Sequence, residues 1–323
     1  MNEAERKQIE ARVRAIAQRR VEHRNWLNAE SAAFALLVAA KCGEVVNLIG
    51  PSRGGKTSLT RHLCGVIAPP NEATDVASPD RLMPAAYLLA SNASTNGRFS
   101  SKSFTMQGLD ALEHPIYSRA ARGEFYARRA RGLDRTPEGQ LRSAFIEALY
   151  HRQVRYLFID ELQHVRYAPG GDKAAAAILD SMKCLAEESG VILVLVGAYP
   201  ILNVLSLSPH MEGRTHQVHL PRYRETEDDI RAFNGLLEGY NDVVPLASSV
   251  ASLRDWTEVL FRGSLGCVGL LEMWLRDAVA SLGADGRLNL AHLERHRRSK
   301  HVLERLAREI ADGEQLLASV GGI

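Results

Sequence analysis

The chain reads as an α/β protein with a parallel sheet flanked by helices, followed by an all-helical C-terminal region. Three observations predict this. Short strand-like runs at 45–49, 85–90, 156–159, 191–197 and 215–221 alternate with helix-like segments up to about residue 225. All but the last are largely apolar rather than alternating, as expected of strands buried on both faces. Beyond residue 225 strand-like runs stop and only amphipathic helical patterns remain.

Taken in order, residues 1–24 and 30–42 read as helices, the second packed on the core. Val45–Ile49 is the first strand. A helix-compatible run begins at Ser58. Residues 66–82, with Pro69, Pro70 and Pro79, read as a loop, and 85–90 as the second strand. Residues 135–153 form an amphipathic helix with Thr136 as N-cap. Residues 154–165 are a strand ending in two acids. A helix over 174–190 is closed by Gly190. The strands 191–197 and 215–221 follow, the latter stopped by Pro221. The expected organisation is an N-terminal helical segment (1–42), an α/β core (43–224) and a helical lid and tail (225–323).

The chain has 323 residues, 46% hydrophobic and 24% charged, enough for one large or two modest cores. No apolar run reaches membrane-spanning length, and the first twenty residues lack a signal-peptide core. Cys42, Cys64, Cys184 and Cys267 form no C-x-x-C pair. They read as reduced core thiols, and the expected location is cytoplasmic.

Chemistry concentrates first at Gly50-Pro51-Ser52-Arg53-Gly54-Gly55-Lys56-Thr57, which fits G-x-x-x-x-G-K-[ST] between a strand and a helix. Glycines let backbone N–H groups curl round a polyphosphate, and the new helix, including Ser58, points its N-terminus at the same anion. Lys56 reaches the β/γ-phosphates and the Thr57 hydroxyl ligates Mg²⁺. ATP or GTP with Mg²⁺ is the expected ligand. Asp160-Glu161 is the second constellation, delivered to a strand's C-terminal end, where open α/β sheets bind ligands. Asp160 suits Mg²⁺, and Glu161 polarises an attacking water. Arg214, just before the last strand, is placed to project onto a neighbouring subunit's γ-phosphate.

Residues 119–135 hold six arginines and two acids, a net +4 against +2 for the whole chain, with Phe125 and Tyr126 interleaved. Arg119, Arg122, Arg128, Arg129 and Arg131, with Lys102 in the loop before, are candidate contacts to nucleic-acid phosphates. The basic run 295–301 reads as a solvated helix end, with a contact to DNA or to a protein partner as the alternative.

Together the lysine loop, "YLFIDELQHV", the "LVGAYP" strand end and "GRTHQVHLPRYRETEDDIRAFNGLLEGYNDVVPL" resemble the P-loop AAA+ ATPases, and within them the TniB/TnsC-type regulators of DNA transposition, kin to the phage Mu target-selection ATPase. The resemblance spans about residues 25–280. It implies an ATPase that works as an oligomer. It also implies rings or filaments on duplex DNA, a target-selection factor as partner, and delivery of a transposase to the target. Gly50, Gly55, Lys56 and Thr57 match the family's Walker A positions, Asp160 and Glu161 its Walker B positions, and Arg214 its arginine finger. Two departures stand out. Ala198 occupies the place of a polar sensor, with Tyr199 next to it as a substitute. No arginine begins the lid helix where a second sensor sits; Arg276 comes later. Loss of a water-positioning donor should slow hydrolysis while sparing binding. A P-loop kinase and a signalling-switch NTPase without DNA binding are the rival readings.

Overall fold

The computed structural model describes residues 2–69, 81–92, 97–118, 136–207, 215–283 and 286–320. Helix α1 (Glu3–Gln18) starts in a capping box, in which the Asn2 side chain accepts from the Glu5 N–H and the Glu5 carboxylate accepts from the Asn2 N–H. Then come α2 (Arg24–Ala39), β1 (Val45–Gly50), α3 (Lys56–Ile67), β2 (Ala85–Leu89) and α4 (Ser101–Ala111). Next are α5 (Glu138–His151), β3 (Tyr156–Asp160), a 3₁₀ turn (Leu162–Tyr167), α6 (Gly171–Ser189), β4 (Ile192–Ala198), the short α7 (Leu202–Leu205) and β5 (Thr215–His219). The remainder is α8 (Glu227–Glu238), α9 (Thr257–Ser264), α10 (Val268–Ala280), α11 (Leu290–Arg295) and α12 (Lys300–Val320).

Several expectations are corrected. The strand expected over 154–165 ends at Asp160, because Glu161 takes a left-handed conformation (φ 57°, ψ 34°) and turns the chain into the 3₁₀ segment. Thr136 is not the cap of α5. Pro137 holds the N-cap position and offers no side-chain hydrogen bond. Lys102 lies on α4, not in a loop. The C-terminal helical stretch carries two helices, α11 and α12, separated between Arg295 and Lys300. Of the four cysteines only Cys267 is a core residue; Cys42 and Cys184 are exposed and Cys64 is half-buried. Part of the expected loop 66–82 lies outside the described residues.

The chain divides into two compact units. The α/β unit comprises residues 30–49, 56–219 and 316–323. Its five-stranded sheet has the order β2-β3-β4-β1-β5. Each pair of known register is parallel: Val45 opposite Thr215, Ala85 opposite Tyr156, Tyr156 opposite Ile192. β1, β3 and β4 are buried throughout, which explains their largely apolar sequence, Asn47 in β1 and the terminal Asp160 of β3 excepted. α3 packs on β2, β3 and β4. α4 lies against α5, and Gly108 makes this possible: a Cβ there would stand 2.5 Å from the Phe145 ring.

The helical unit comprises residues 1–29, 50–55 and 220–315. Its core gathers Ile16, Phe233, Trp256, Phe261, Trp274 and Leu293 among other apolar residues. Phe233 meets Tyr223 and Phe261 edge-on, with centroids 5.7 and 5.1 Å apart. Trp274 covers Gly263, and its indole N–H donates to the Leu293 carbonyl at 2.8 Å. α1 packs along α10. Arg24 pairs with Asp229, and Arg222 with Glu314 at 3.0 Å. No helix among the described residues is long and apolar enough to cross a membrane.

Candidate nucleotide site

Because the sheet is parallel, its C-terminal edge collects the ends of β2, β3 and β4 together with the helix starts that follow. This is where the acid pair sits. Lys56 and Thr57 open the twelve-residue α3, whose first-turn N–H groups have no helical carbonyl to meet. Lys56 is buried to 9% exposure and Thr57 is half-buried, while Ser58 is exposed. Thr60 turns its hydroxyl back to the Lys56 carbonyl at 2.9 Å, which steadies the first turn.

Asp160 ends β3 and is 1% exposed. Its carboxylate accepts from the Glu161 N–H at 2.7 Å and from the Tyr87 hydroxyl at 2.9 Å. A buried charge requires such donors. Both neighbours respond to it. Burial and then Asp160 push the Cys64 thiol up to about 12 and the Tyr87 phenol higher still. Tyr87 therefore stays protonated and remains a donor, and Cys64 is no nucleophile at neutral pH.

Glu161 is half-buried and left-handed, outside any glycine. Its carboxylate accepts from the Gln163 side-chain amide, whose oxygen in turn accepts from the Ala198 N–H at 3.1 Å. His164 donates through Nδ1 to the Ala90 carbonyl at 2.8 Å, so it fastens the 3₁₀ turn to the end of β2. Among the described residues no group of three or more His, Cys, Asp and Glu could hold a metal ion. At β4's end the Ala198 side chain has nothing polar to offer, and the Tyr199 hydroxyl is paired with His219 Nε2 at 2.9 Å.

The glycine loop has its own constraints within the helical unit. A Cβ on Gly50 would stand 2.4 Å from the Leu220 carbonyl oxygen, so only glycine fits. Gly55 has φ 101° and Arg53 φ 62°, the second a left-handed non-glycine residue. The Arg53 carbonyl accepts from the Gly269 N–H at 2.8 Å, at the start of α10. Ser52 donates its hydroxyl to Glu309 at 2.9 Å, while Pro51 and Gly54 close a tight turn through a 3.0 Å main-chain bond. Arg276 pairs with Glu272 on the same helix at 3.4 Å.

Arg214, and Arg119, Arg122, Arg128, Arg129 and Arg131, lie outside the described residues. Lys102 is half-buried on α4. In the 295–301 run, Arg295, Arg297, Lys300 and His301 are exposed, and Arg298 reaches Met273 Sδ at 3.0 Å. Sequence reasoning missed Tyr87 and Gln163. Tyr87 lies in no quoted stretch and Gln163 sits in "YLFIDELQHV" without an assigned role; each is identified only by what its side chain touches.

The strand order and the lysine-loop helix beside an acid-ended strand define a P-loop ATPase fold of the AAA+ class. Solved structures agree. The Walker-type ATPase of Pyrococcus abyssi superposes with a TM-score of 0.52 at 12% identity, covering 89% of this chain and 73% of that one. A Drosophila ORC structure bound to DNA gives 0.51 at 10% identity, covering 100% and 81%. At such identities these likenesses speak for the fold alone. Residues 36–225 match the family described as "Bacterial TniB protein", more than half of the chain, and the protein belongs to that family. No curated protein matches the sequence.

Proposed function

We propose that this chain is an ATP-dependent regulator of DNA transposition, which assembles on target duplex DNA and recruits or activates a transposase. The observation that carries the reading is the pairing of the Lys56–Thr57 helix start with the Asp160–Glu161 strand end in one α/β unit of a TniB-family chain. In this reading residues 43–224 are the ATPase core and 225–323 its helical lid and tail.

The donor set fits ATP with Mg²⁺. The Thr57 hydroxyl and the Asp160 carboxylate are hard oxygen ligands of the kind Mg²⁺ takes, and Asp160 is already held in place by two donors. The ion would supply charge neutralisation on the β- and γ-phosphates. The loop from Gly50 to Gly55, apart from Pro51, which has no N–H, and Gly54, whose N–H meets the Pro51 carbonyl, offers main-chain N–H groups to the phosphates, Lys56 adds its ammonium, and Ser58 extends the helix start. Glu161 takes a proton from water as the water oxygen bonds to the γ-phosphorus. The bond to the β–γ bridging oxygen breaks, ADP leaves, and the proton passes on to solvent or phosphate. Arg214 acts on the γ-phosphate of a neighbouring protomer, so turnover requires a ring or filament of this chain. The arginines of 119–135, with Lys102, contact DNA phosphates without reading sequence.

A gel-shift titration with duplex DNA, with and without a slowly hydrolysed ATP analogue, tests the reading. Cooperative, salt-sensitive binding that needs the analogue is expected. Replacing Arg128, Arg129 and Arg131 by alanine should lower the salt slope by roughly one unit per lost phosphate contact. Binding indifferent to nucleotide, or no binding at all, contradicts it.

A further inference from the structure

β4, the strand beside the acid-ended β3, finishes at Ala198, whose side chain offers no hydrogen-bonding group. Tyr199 does not fill the gap, since its hydroxyl is engaged by His219. The structure nevertheless puts a polar group between β4 and the acid pair. We propose that Gln163 is a positioning residue that holds the Glu161 carboxylate toward the hydrolytic water, in place of the side chain β4 lacks.

The geometry argues for it in three ways. First, the amide has one available orientation. Its oxygen faces the Ala198 N–H at 3.1 Å, a donor that only an acceptor can satisfy. The nitrogen must then face Glu161, where it donates to Oε2. A flipped amide would set oxygen against carboxylate and NH₂ against N–H, losing both bonds. Second, the amide is packed against β4. A Cβ on Gly197 would stand in ordinary van der Waals contact, 3.5 Å, with Gln163 Oε1, so the side chain lies directly beside the strand's end. Third, Glu161 needs a restraint. Its left-handed backbone turns the side chain off the strand direction, and a glutamate has several rotamers to lose. One carboxylate oxygen tied by the amide fixes the carboxylate plane, and the other is left to face a water.

The inference rests on the reading of Glu161 as general base, and the experiment separates the two. Full-length wild type, Glu161→Gln, Gln163→Ala and Gln163→Glu are assayed with ATP, Mg²⁺ and duplex DNA. The readouts are kcat, KM, nucleotide affinity and thermal midpoint. Gln163→Ala should lower kcat roughly 10- to 100-fold, the range seen when a supporting hydrogen bond behind a functional group is lost, with KM and nucleotide affinity nearly unchanged. Gln163→Glu keeps an acceptor for the Ala198 N–H but has no amide to donate to Glu161, so it should show the same fall in kcat at unchanged KM. A merely structural side chain would not split kcat from KM in this way.

Gln163→Ala turnover equal to or above wild type overturns the inference, as does a loss matched by weaker nucleotide binding. Wild-type kcat in Gln163→Glu does the same. In any of these cases a strong loss in Glu161→Gln leaves the base assignment standing. If wild type and Glu161→Gln turn over alike, the base assignment fails and the positioning role fails with it.

Discussion

The C-terminal edge of the sheet and the core of the helical unit are built on opposite plans. At the sheet edge, Asp160, Glu161, Tyr87, Gln163 and His164 are linked by side-chain and main-chain hydrogen bonds, and the backbone itself is left-handed at Glu161. In the helical unit the interior is aromatic and aliphatic: Phe233, Phe261, Trp274 and their neighbours fill space, and buried polar groups such as His23 and Tyr223 pair locally. The lesson is a division of labour. Substitutions at the edge should alter turnover or ligand affinity with little effect on stability, and substitutions in the helical core should do the reverse.

Trp274→Ala probes the second half of that statement and carries the largest expected effect. It removes a large buried ring from beside Gly263 and the hydrogen bond to Leu293. Truncation of such a residue costs about 3–5 kcal/mol. Denaturant unfolding should register this, while turnover per folded molecule changes far less. A marginal loss of stability would mean that this core is not what holds the unit together.

Lys56→Ala probes the first half. It deletes a charged donor to phosphate, worth about 1.5–3 kcal/mol as a hydrogen bond to a charged group, or up to about two orders of magnitude in affinity. Titration with a fluorescent ATP analogue should show that loss with the unfolding midpoint nearly unmoved. Unchanged affinity would remove Lys56 from the site.

A smaller effect sharpens the contrast through pH. His23 is buried, and its Nδ1 accepts from the Tyr223 hydroxyl at 3.0 Å and from the Trp26 N–H at 3.4 Å. Burial, aided by Arg24, lowers its pKa from 6.5 to about 4. Between these values the unfolded chain binds the proton and the folded chain does not, so stability rises with pH across that window. The contribution is complete above about 6.5 and is lost as pH falls toward 4. Unfolding midpoints taken from pH 7.5 to 4 should fall accordingly, and His23→Gln should flatten the upper part of the curve, from 6.5 to 5, where carboxylates have scarcely begun to titrate. An identical slope in the variant would assign the effect to other groups.

Where the sequence carries a residue type that only one geometry tolerates, the structure was legible. Gly50 to Thr57 is such a stretch, and so is β3, whose unbroken apolar run ends in two acids. Legibility failed where burial is achieved by small or polar residues. α4 hides Thr105 and Gly108 in its inner face beside Phe104 and Leu109, which blurs the apolar stripe. It also failed at Glu161, because a left-handed glutamate carries no glycine to announce the turn. Gln163 was illegible for the same reason: its partner at Ala198 lies 35 residues away and becomes a neighbour only when β4 pairs with β3.

The central claim, that the sheet edge is a hydrolytic site with Glu161 as its base, is tested most directly by one pair of measurements on Glu161→Gln in the presence of duplex DNA. ATP affinity should match wild type, and single-turnover hydrolysis should slow roughly 10²–10⁴-fold, the usual contribution of a general base. Hydrolysis at the wild-type rate, or a loss explained wholly by weaker ATP binding, would contradict the account.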